Sequence, residues 1–350
     1  MKKIIFTGGG TAGHIIPNLA IIEELQNYKI YYLGSNGMEK EIIKSYPNIT
    51  FIEIPVAKFI RSLSLKNLAL PFKLISSINR TKKILKEISP DLIFSKGGFV
   101  SIPPCLAGKQ LSIPIITHES DLTVGLANKI IAKKAKYLCC SFNTTAENYQ
   151  KNAIFTGSPI RSKIRKGNKE IVIQRHNLKT NSPVILIVGG SLGAMAINKI
   201  IWNNIDTLVK AYTIIHIVGR NNINKQINTD NYYQLEFVND IENYFNLADI
   251  VISRAGSNTI FELLSIHKPM ILIPLPKTSH SRGDQEDNAK YFLDNKLAFT
   301  IKQDDLNINI LMHKISHILK NKQLIIKTMQ NFKNTCGNQK IIELINKTIK

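Results

Sequence analysis

One pattern occurs twice in this chain: a short apolar run, then a glycine-rich turn, then a stretch of helical period. It opens the sequence as KIIFTGGGTAG, residues 3–13, and returns as PVILIVGGSLGA, residues 183–194. Further runs rich in Ile, Val, Tyr and Phe alternate with helical stretches after each opening. Such alternation is typical of parallel sheets, whose strands are apolar on both faces. We therefore predict two doubly wound, Rossmann-like α/β domains facing a cleft.

The domain division follows from length and from one charged segment. A chain of 350 residues suits two domains of roughly 150 to 200 residues each. Between the two series lies TGSPIRSKIRKGNKE, which has the Gly, Pro and charge content of a linker. We expect an N-terminal domain over 1–160, completed by a C-terminal helix over 333–350, and a second domain over 161–332.

The charge of the chain indicates anionic partners. It has 46 Lys and Arg against 25 Asp and Glu, a net charge of +21. Phosphorylated metabolites, an acidic membrane surface and nucleic acid all fit this charge. No helix-turn-helix, zinc-finger or aromatic RNA-binding signature is present, so we expect no nucleic acid partner. The four cysteines lack zinc-ligand spacing and predict no metal site.

The first glycine turn has the spacing of a dinucleotide fingerprint, G-x-G-x-x-G, in Gly8, Gly10 and Gly13. A nicotinamide site also needs an acidic residue at the end of the second strand to bind the ribose. Here that strand, KIYYLGS, ends in Gly34 and Ser35. We interpret the turn as a phosphate-binding loop without a nicotinamide cofactor.

Seven motifs occur in order: TGGGTAGHIIPNLAI, SKGGFVSIPPCLAG, IPIITHES with GLANK, TGSPIR, VGGSLGA, SRAGSNTIFELL and DQEDNA. Together they resemble the MurG family, the GT-B glycosyltransferases of peptidoglycan synthesis, over nearly the whole chain. The resemblance implies an inverting hexosyltransferase that moves N-acetylglucosamine from UDP-N-acetylglucosamine to undecaprenyl-pyrophosphoryl-muramoyl-pentapeptide, converting lipid I into lipid II. It implies an acceptor-binding and membrane-docking first domain, a donor-binding second domain, and no metal or cofactor. It also implies a peripheral enzyme on the cytoplasmic face of the plasma membrane.

The resemblance assigns site residues as well. Acceptor binding is implied for Gly10, Asp121 and Asn128. In the donor site, Glu262 is expected on the ribose diol and the backbone of Val238 at the uracil. The donor-binding residues implied by similarity are Thr11, Ala12, Gly13, Arg161, Ser191, Val238, Ser257, Asn258, Thr259, Glu262, Gln285 and Asn288.

Four positions depart from the residues usual in the family: Ala12, Phe99, Ser120 and Asp121. The last two replace a Gln-Asn pair, so Asp121 adds negative charge near the expected acceptor diphosphate. We expect this charge to weaken acceptor binding unless Lys129 or Arg161 compensates for it.

Glycosyl transfer needs a base for the acceptor hydroxyl and a group that stabilises the leaving diphosphate. His14 is the candidate base, because an imidazole keeps a neutral fraction at cytoplasmic pH. Its alternative role is to cap the turn or hold the acceptor diphosphate, and Glu119 is then the alternative base. The GGSLGA turn and the helix after it are expected to stabilise the phosphates through N–H groups.

Two alternatives stay open at this point. The acidic residues of GDQED could bind Mg²⁺ on a diphosphate, although acidic residues are common at the start of any helix, and we expect no metal. The activity could also be that of another GT-B enzyme using the same donor, such as a UDP-N-acetylglucosamine 2-epimerase, or the chain could be a basic nucleic-acid-binding protein.

The stretch 56–86 mixes Phe, Ile and Leu with Lys and Arg. Such a composition suits the headgroup region of an anionic membrane, with Phe72 and Leu74 among the inserting side chains. The alternative is a core helix with a solvated basic face.

Overall fold

The computed structural model divides the chain into two compact units, Met1–Arg161 with Asn334–Lys350 and Ser162–Lys333. Each junction lies one residue from the boundary expected from the sequence. The structure describes residues 1–56, 70–149, 151–179, 181–190, 192–278, 281–333 and 335–349.

A seven-stranded parallel sheet forms the centre of the first unit, as far as its residues are described. The strands are β1 (Lys2–Thr7), β2 (Tyr28–Gly34), β3 (Ile49–Glu53), β4 (Leu92–Ser95), β5 (Ile115–Glu119), β6 (Tyr137–Cys140) and β7 (Ala153–Phe155). Their spatial order is β3-β2-β1-β4-β5-β6-β7. The order reverses between β1 and β4, where doubly wound sheets bind ligands at the carboxyl ends of the strands.

Helices cover both faces of this sheet. They are α1 (Ala12–Ile22), α2 (Met38–Ile43), α3 (Leu70–Ile88), α4 (Ile102–Gln110), α5 (Leu126–Ala132), α6 (Asn143–Asn148) and a C-terminal helix (Asn338–Ile349). Because strand side chains alternate between faces, Ile4 and Phe6 pack in one core with Ile341 of the C-terminal helix. Ile5 packs in the other core with Leu85 of α3. The continuous apolar runs therefore serve two cores at once.

The C-terminal helix belongs to the first unit through a buried asparagine. Asn338 accepts a hydrogen bond from the Ile160 N–H (2.8 Å) and donates to the carbonyls of Ile160 (2.9 Å) and Ala20 (3.2 Å). Tyr28 also donates to Asn346 (2.6 Å). The end of the chain thus completes the domain that its beginning forms.

The second unit repeats the architecture. In its described residues it has a six-stranded parallel sheet in the order β10-β9-β8-β11-β12-β13, with strands β8 (Val184–Val188), β9 (Thr213–Ile217), β10 (Tyr232–Leu235), β11 (Ile250–Ser253), β12 (Met270–Leu272) and β13 (Phe299–Thr300). Its helices are α7 (Lys169–His176), α8 (Met195–Asn203), α9 (Ile205–Leu208), α10 (Ile241–Leu247), α11 (Ser257–Ser265), α12 (Asp284–Asp294), α13 (Ile308–Lys320) and α14 (Lys322–Asn331). The prediction of two doubly wound α/β domains is confirmed.

Helix α3 carries the described part of the stretch proposed for membrane docking, whose residues 57–69 lie outside the described residues. Its two ends differ. Phe72 is 77% exposed and Ile75 is 56% exposed, whereas Leu85 and Ile88 are buried in the core. The C-terminal half of α3 is therefore part of the core, whereas its N-terminal half leaves apolar side chains exposed, and membrane docking stays a prediction. Among the described residues, no helix is both long enough and apolar enough to cross a bilayer.

Candidate active site

The first glycine turn links β1 to α1 at the carboxyl end of the sheet. A Cβ added at Gly10, where φ is +84°, would lie 2.7 Å from the ring of Phe99. A Cβ added at Gly98 would lie 3.2 Å from Nδ1 of His14. The turn after β4 therefore packs directly on the first turn, and this close approach requires glycine on both sides.

His14 is the third residue of α1 and is half-buried. Its backbone N–H donates to the carbonyl of Thr11 (3.1 Å), and its Nδ1 lies 3.1 Å from the Thr11 hydroxyl. When Nδ1 carries the proton and donates to that hydroxyl, the lone pair of the neutral ring is on Nε2. The N-cap residue of α1 thus orients the imidazole.

A carboxylate that the sequence did not indicate lies beneath this turn. Glu39 of α2 is buried, and it accepts hydrogen bonds from the N–H groups of Ser35 (2.8 Å) and Gly10 (3.3 Å). The Ser35 hydroxyl also donates to it. An acidic group therefore does lie at the end of β2, although no acidic residue occurs in the strand end itself. It takes an N–H that an anionic ligand would otherwise use.

A buried lysine follows β4. Lys96 is 1% exposed, its backbone N–H donates to the carbonyl of Thr7 (2.9 Å), and its Nζ donates to the hydroxyl of Ser120. Burial lowers the pKa of Lys96 to about 8, while the charges of Glu119 and Asp121 act in the opposite direction.

Glu119, the alternative base, holds the loop between β5 and α5. Its carboxylate accepts from the N–H of Asp121 (3.0 Å), the N–H of Gly125 (2.9 Å) and the side-chain amide of Asn128 (2.9 Å). Burial and the neighbouring Asp121 charge raise its pKa, against the effect of these three donors. The side chain is 5% exposed and its two oxygens already have partners.

Asn128, expected at the acceptor, is buried and has partners within the first unit. Its amide donates to the His118 carbonyl (3.0 Å) as well as to Glu119, and it accepts from the Thr117 hydroxyl (2.8 Å). These bonds fix the start of α5 against the end of β5.

The second glycine turn links β8 to α8, and Ser191 within it lies outside the described residues. Gly193 has φ +76°, and an added Cβ would lie 1.9 Å from the carbonyl oxygen of Val218. Its N–H donates to Gly190 (3.0 Å). An added Cβ on Gly219 would lie 2.3 Å from the Gly193 nitrogen. Because Gly193 and Gly219 have no side chains, the turn can pack directly against the end of β9.

A buried polar network supports this second turn from below. Asn198 of α8 donates to the Val218 carbonyl (2.9 Å), and its Oδ1 lies 3.0 Å from Nε2 of His216. Burial lowers the pKa of His216 to about 3, so the ring is neutral at physiological pH. The network fixes α8 relative to β9.

Helix α11 follows β11 at the same end of the second sheet. Ser257 and Glu262 are buried, while Asn258 and Thr259 are half-buried. A Cβ built on Gly256, the N-cap, meets no described atom within 4 Å. Among the described residues, there is therefore room beside the N-cap of α11.

Two residues of α12 hold loops beside α11. Gln285 accepts a hydrogen bond from the Leu275 N–H (3.0 Å), and the buried Asn288 donates to the Ala255 carbonyl (3.3 Å). Asn288 thus connects α12 to the segment that leads into α11.

Two of the three acidic residues of GDQED, considered for Mg²⁺, have partners within the protein. Glu286 accepts from the Lys277 N–H (3.0 Å), and Asp284 forms an ion pair with Arg282 (2.8 Å). Among the described residues, no group of three His, Cys, Asp or Glu side chains is placed to hold a metal ion.

Val238 is half-buried and lies after β10. It follows Phe237, whose ring lies 5.0 Å from the guanidinium of Arg220.

The expected site residues fall into two groups, one in each unit. The first unit contains Gly10, Thr11, Ala12, Gly13, His14, Glu119, Asp121, Asn128 and Arg161. The second contains Val238, Ser257, Asn258, Thr259, Glu262, Gln285 and Asn288.

Residues 4–139 match the Glycosyltransferase family 28 N-terminal domain, and residues 184–345 match the Glycosyltransferase family 28 C-terminal domain. A curated relative from Clostridium botulinum (strain 657 / Type Ba4) is 42% identical over 356 residues, covering 100% of both chains. Its name is UDP-N-acetylglucosamine--N-acetylmuramyl-(pentapeptide) pyrophosphoryl-undecaprenol N-acetylglucosamine transferase. The chain belongs to glycosyltransferase family 28.

Solved structures show the same fold for this family 28 glycosyltransferase. The crystal structure of Acinetobacter baumannii MurG aligns with a TM-score of 0.76 at 24% identity, over 99% of this chain and 100% of that one. UDP-GlcNAc 2-epimerase from Neisseria meningitidis aligns with a TM-score of 0.70 at 15% identity, over 100% and 99%. At these identities the likeness concerns the fold alone. The 42% identity to the curated relative confirms the resemblance to the MurG family that the sequence motifs indicated.

Proposed function

We propose that this chain transfers N-acetylglucosamine from UDP-N-acetylglucosamine to undecaprenyl-pyrophosphoryl-MurNAc-pentapeptide, with inversion, in peptidoglycan synthesis. The supporting observation is 42% identity, over the whole length of both chains, to a transferase named for this reaction. The epimerase alternative has only a likeness of fold, at 15% identity.

The second unit is the donor-binding domain in this proposal. Its glycine turn and the N-terminus of α8 supply N–H groups to the diphosphate, which gains charge as the sugar leaves. Glu262, buried on α11, suits the ribose diol because one carboxylate can accept two hydrogen bonds. Gln285 and Asn288 support this site by holding the loops next to α11.

The first unit is the acceptor-binding domain and supplies the base. We favour His14 over Glu119, because the Glu119 carboxylate is buried and bound by three N–H donors, whereas His14 is half-buried and oriented by Thr11. The acceptor hydroxyl gives its proton to Nε2 of His14 while its oxygen bonds to the anomeric carbon. The bond from that carbon to the phosphate oxygen breaks, and UDP leaves with the electron pair.

The same proposal places the enzyme at an anionic membrane surface, on the cytoplasmic face, where a lipid-linked acceptor would be found. The exposed Phe72 and Ile75 of α3 lie next to the exposed Lys73, and the chain has a net charge of +21. Apolar side chains beside basic ones suit an anionic headgroup region. Nucleic acid is not a partner in this account.

Transfer of radiolabelled N-acetylglucosamine tests the proposal. The purified chain is given labelled UDP-N-acetylglucosamine and a prenyl-pyrophosphoryl muramoyl peptide, in parallel reactions with and without EDTA. We expect the label in the lipid product at the same rate with and without EDTA. Label that stays in nucleotide sugar, or appears in UDP-N-acetylmannosamine, would refute the transferase. Activity lost with EDTA and restored by Mg²⁺ would refute the metal-free mechanism.

A further inference from the structure

The second glycine turn is bound to the end of β9 by the side chain of one asparagine. Asn222 lies in the loop after β9 and is half-buried. Its side-chain amide donates to the carbonyl of Leu192 (3.1 Å) and to the carbonyl of Val218 (3.2 Å). Leu192 belongs to the turn, whereas Val218 directly follows β9. Because the amide has two N–H donors, it can supply one hydrogen bond to each carbonyl and so connect the turn to the strand.

The peptide between Leu192 and Gly193 is held at both of its polar groups. Its carbonyl accepts from Asn222, and its N–H donates to the carbonyl of Gly190 (3.0 Å). The two groups point to opposite sides of a planar peptide, so these bonds together fix the side of the turn on which the carbonyl oxygen lies. The Leu192 side chain is 84% exposed and packs too little to fix it.

The second carbonyl bound by Asn222 is fixed as well. The oxygen of Val218 accepts from Asn198 (2.9 Å) in addition to Asn222, so each of its two lone pairs has a donor. A Cβ added at Gly193 would lie 1.9 Å from this oxygen and 3.0 Å from Nδ2 of Asn222. Asn222 therefore packs directly against the turn as well as bonding to it.

The orientation of this peptide matters because of the helix that follows it. Helix α8 has Ala194 at its N-cap, and an alanine side chain cannot accept hydrogen bonds from the first N–H groups of the helix. Such N–H groups bind anions. A carbonyl oxygen carries partial negative charge, so a Leu192 carbonyl turned toward the start of α8 would repel a phosphate that these N–H groups attract.

We propose that Asn222 is a positioning residue for the donor diphosphate, because it holds the Leu192 carbonyl against the end of β9 and so keeps that oxygen away from the phosphates. The sequence motifs did not indicate Asn222, which lies between β9 and β10. The identity of the ligand rests on the proposed function, whereas the orientation of the peptide rests on hydrogen bonds within the second unit.

Asn222→Leu on the full chain tests this role, because leucine keeps the size of the side chain, removes both N–H donors and adds no charge. We expect the UDP Kd to rise about fivefold, the scale of one lost hydrogen bond, and the uridine Kd to stay within about twofold of wild type. Calorimetry measures UDP, and an NMR titration measures uridine, which lacks the phosphates. Asn228→Leu, at an exposed asparagine of the same loop, is the matched control and should change neither value.

A second readout needs no nucleotide. The Gly193 amide should exchange its hydrogen about fivefold faster in Asn222→Leu than in wild type or Asn228→Leu, because the peptide is then held only by its bond to Gly190. Unchanged exchange at Gly193, an unchanged UDP Kd, or equal losses of UDP and uridine affinity would overturn the inference. If wild type binds no UDP, the proposed function is refuted instead, and exchange at Gly193 still decides the role of Asn222.

Discussion

The two glycine turns occupy equivalent places, each between the first strand and the next helix of its unit, but their backbone groups have different partners. In the first turn, the N–H of Gly10 donates to the buried carboxylate of Glu39. In the second, the N–H of Gly193 donates to the carbonyl of Gly190, and the turn presses on β9. A carboxylate already bound to a turn disfavours another anion there. The phosphate interpretation therefore suits the second turn, and we propose proton transfer at the first.

Removing the imidazole of the first turn should have the largest effect. His14→Ala should lower kcat by about 10² to 10⁴, the usual contribution of a general base, with UDP affinity unchanged. Steady-state kinetics at saturating acceptor measures this. Thr11→Val, which removes only the orienting hydroxyl, should cost about fivefold. If His14→Ala keeps kcat and raises only the acceptor KM, His14 is a binding residue, and the base is Glu119 or Asp121.

Two neighbouring glycines of the second turn test how closely it is packed. In Gly193→Ala the new Cβ would lie 1.9 Å from the Val218 carbonyl oxygen, whereas at Gly190, where φ is +89°, it would meet no described atom within 4 Å. Gly193→Ala should destabilise the second unit by about 3 kcal/mol or more. Gly190→Ala should cost about 1 to 2 kcal/mol, the backbone strain alone. Urea unfolding measures both, and equal losses would mean that close packing on β9 is not what the turn requires.

Substitution of Glu262 tests whether the donor binds in the second unit. Glu262→Ala should weaken UDP binding by about 1 to 3 kcal/mol, the scale of lost hydrogen bonds to a charged group. If the lost bonds are those to the ribose diol, the variant should bind UDP and 2′-deoxy-UDP almost equally, unlike wild type. Glu170→Ala, an exposed glutamate of α7 in the same unit, is the control. Equal UDP affinity in Glu262→Ala and wild type would remove Glu262 from the site.

The smallest expected effect is at the exposed end of α3. Phe72→Ser should weaken sedimentation with vesicles of anionic lipid by about 1 kcal/mol, the scale of partial burial of one apolar side chain. Rising salt should release the wild type, because screening weakens the attraction of Lys and Arg. Leu324→Ser, 66% exposed in the second unit, should change nothing. If vesicle binding changes neither in Phe72→Ser nor with rising salt, membrane docking by α3 is contradicted.

The sequence predicts the fold well because the strands are apolar runs with a clear period. The runs quoted for β1 and β8 lie within one or two residues of the observed strands. The strands that the pattern did not indicate are the short β7, β10 and β13, the last being Phe299–Thr300. β7 and β13 have only three and two residues, and β10 contains the polar Gln234, so the place of these strands depends on the sheet they join.

The candidate site was harder to predict where folding places a side chain beside residues that are not its neighbours in the sequence. Glu39 lies four residues beyond Ser35, and only the turn into α2 returns its carboxylate to the end of β2. Lys96 directly follows a strand and precedes two glycines, which is a usable signal, but its burial against Ser120 needs β5 in place. His14 and Glu262 could be proposed from the sequence because they belong to motifs that occur together in it.

The central claim is that only the second glycine turn binds the donor diphosphate. The most direct measurement is the UDP Kd, by calorimetry, of Gly9→Ala and Gly193→Ala. A Cβ at Gly9 would lie 2.6 Å from the carboxylate of Glu39 and so disturb the first turn. We expect Gly9→Ala to bind UDP within about twofold of wild type and Gly193→Ala to lose about tenfold or more. Equal losses in the two variants, or a loss confined to Gly9→Ala, would contradict the account.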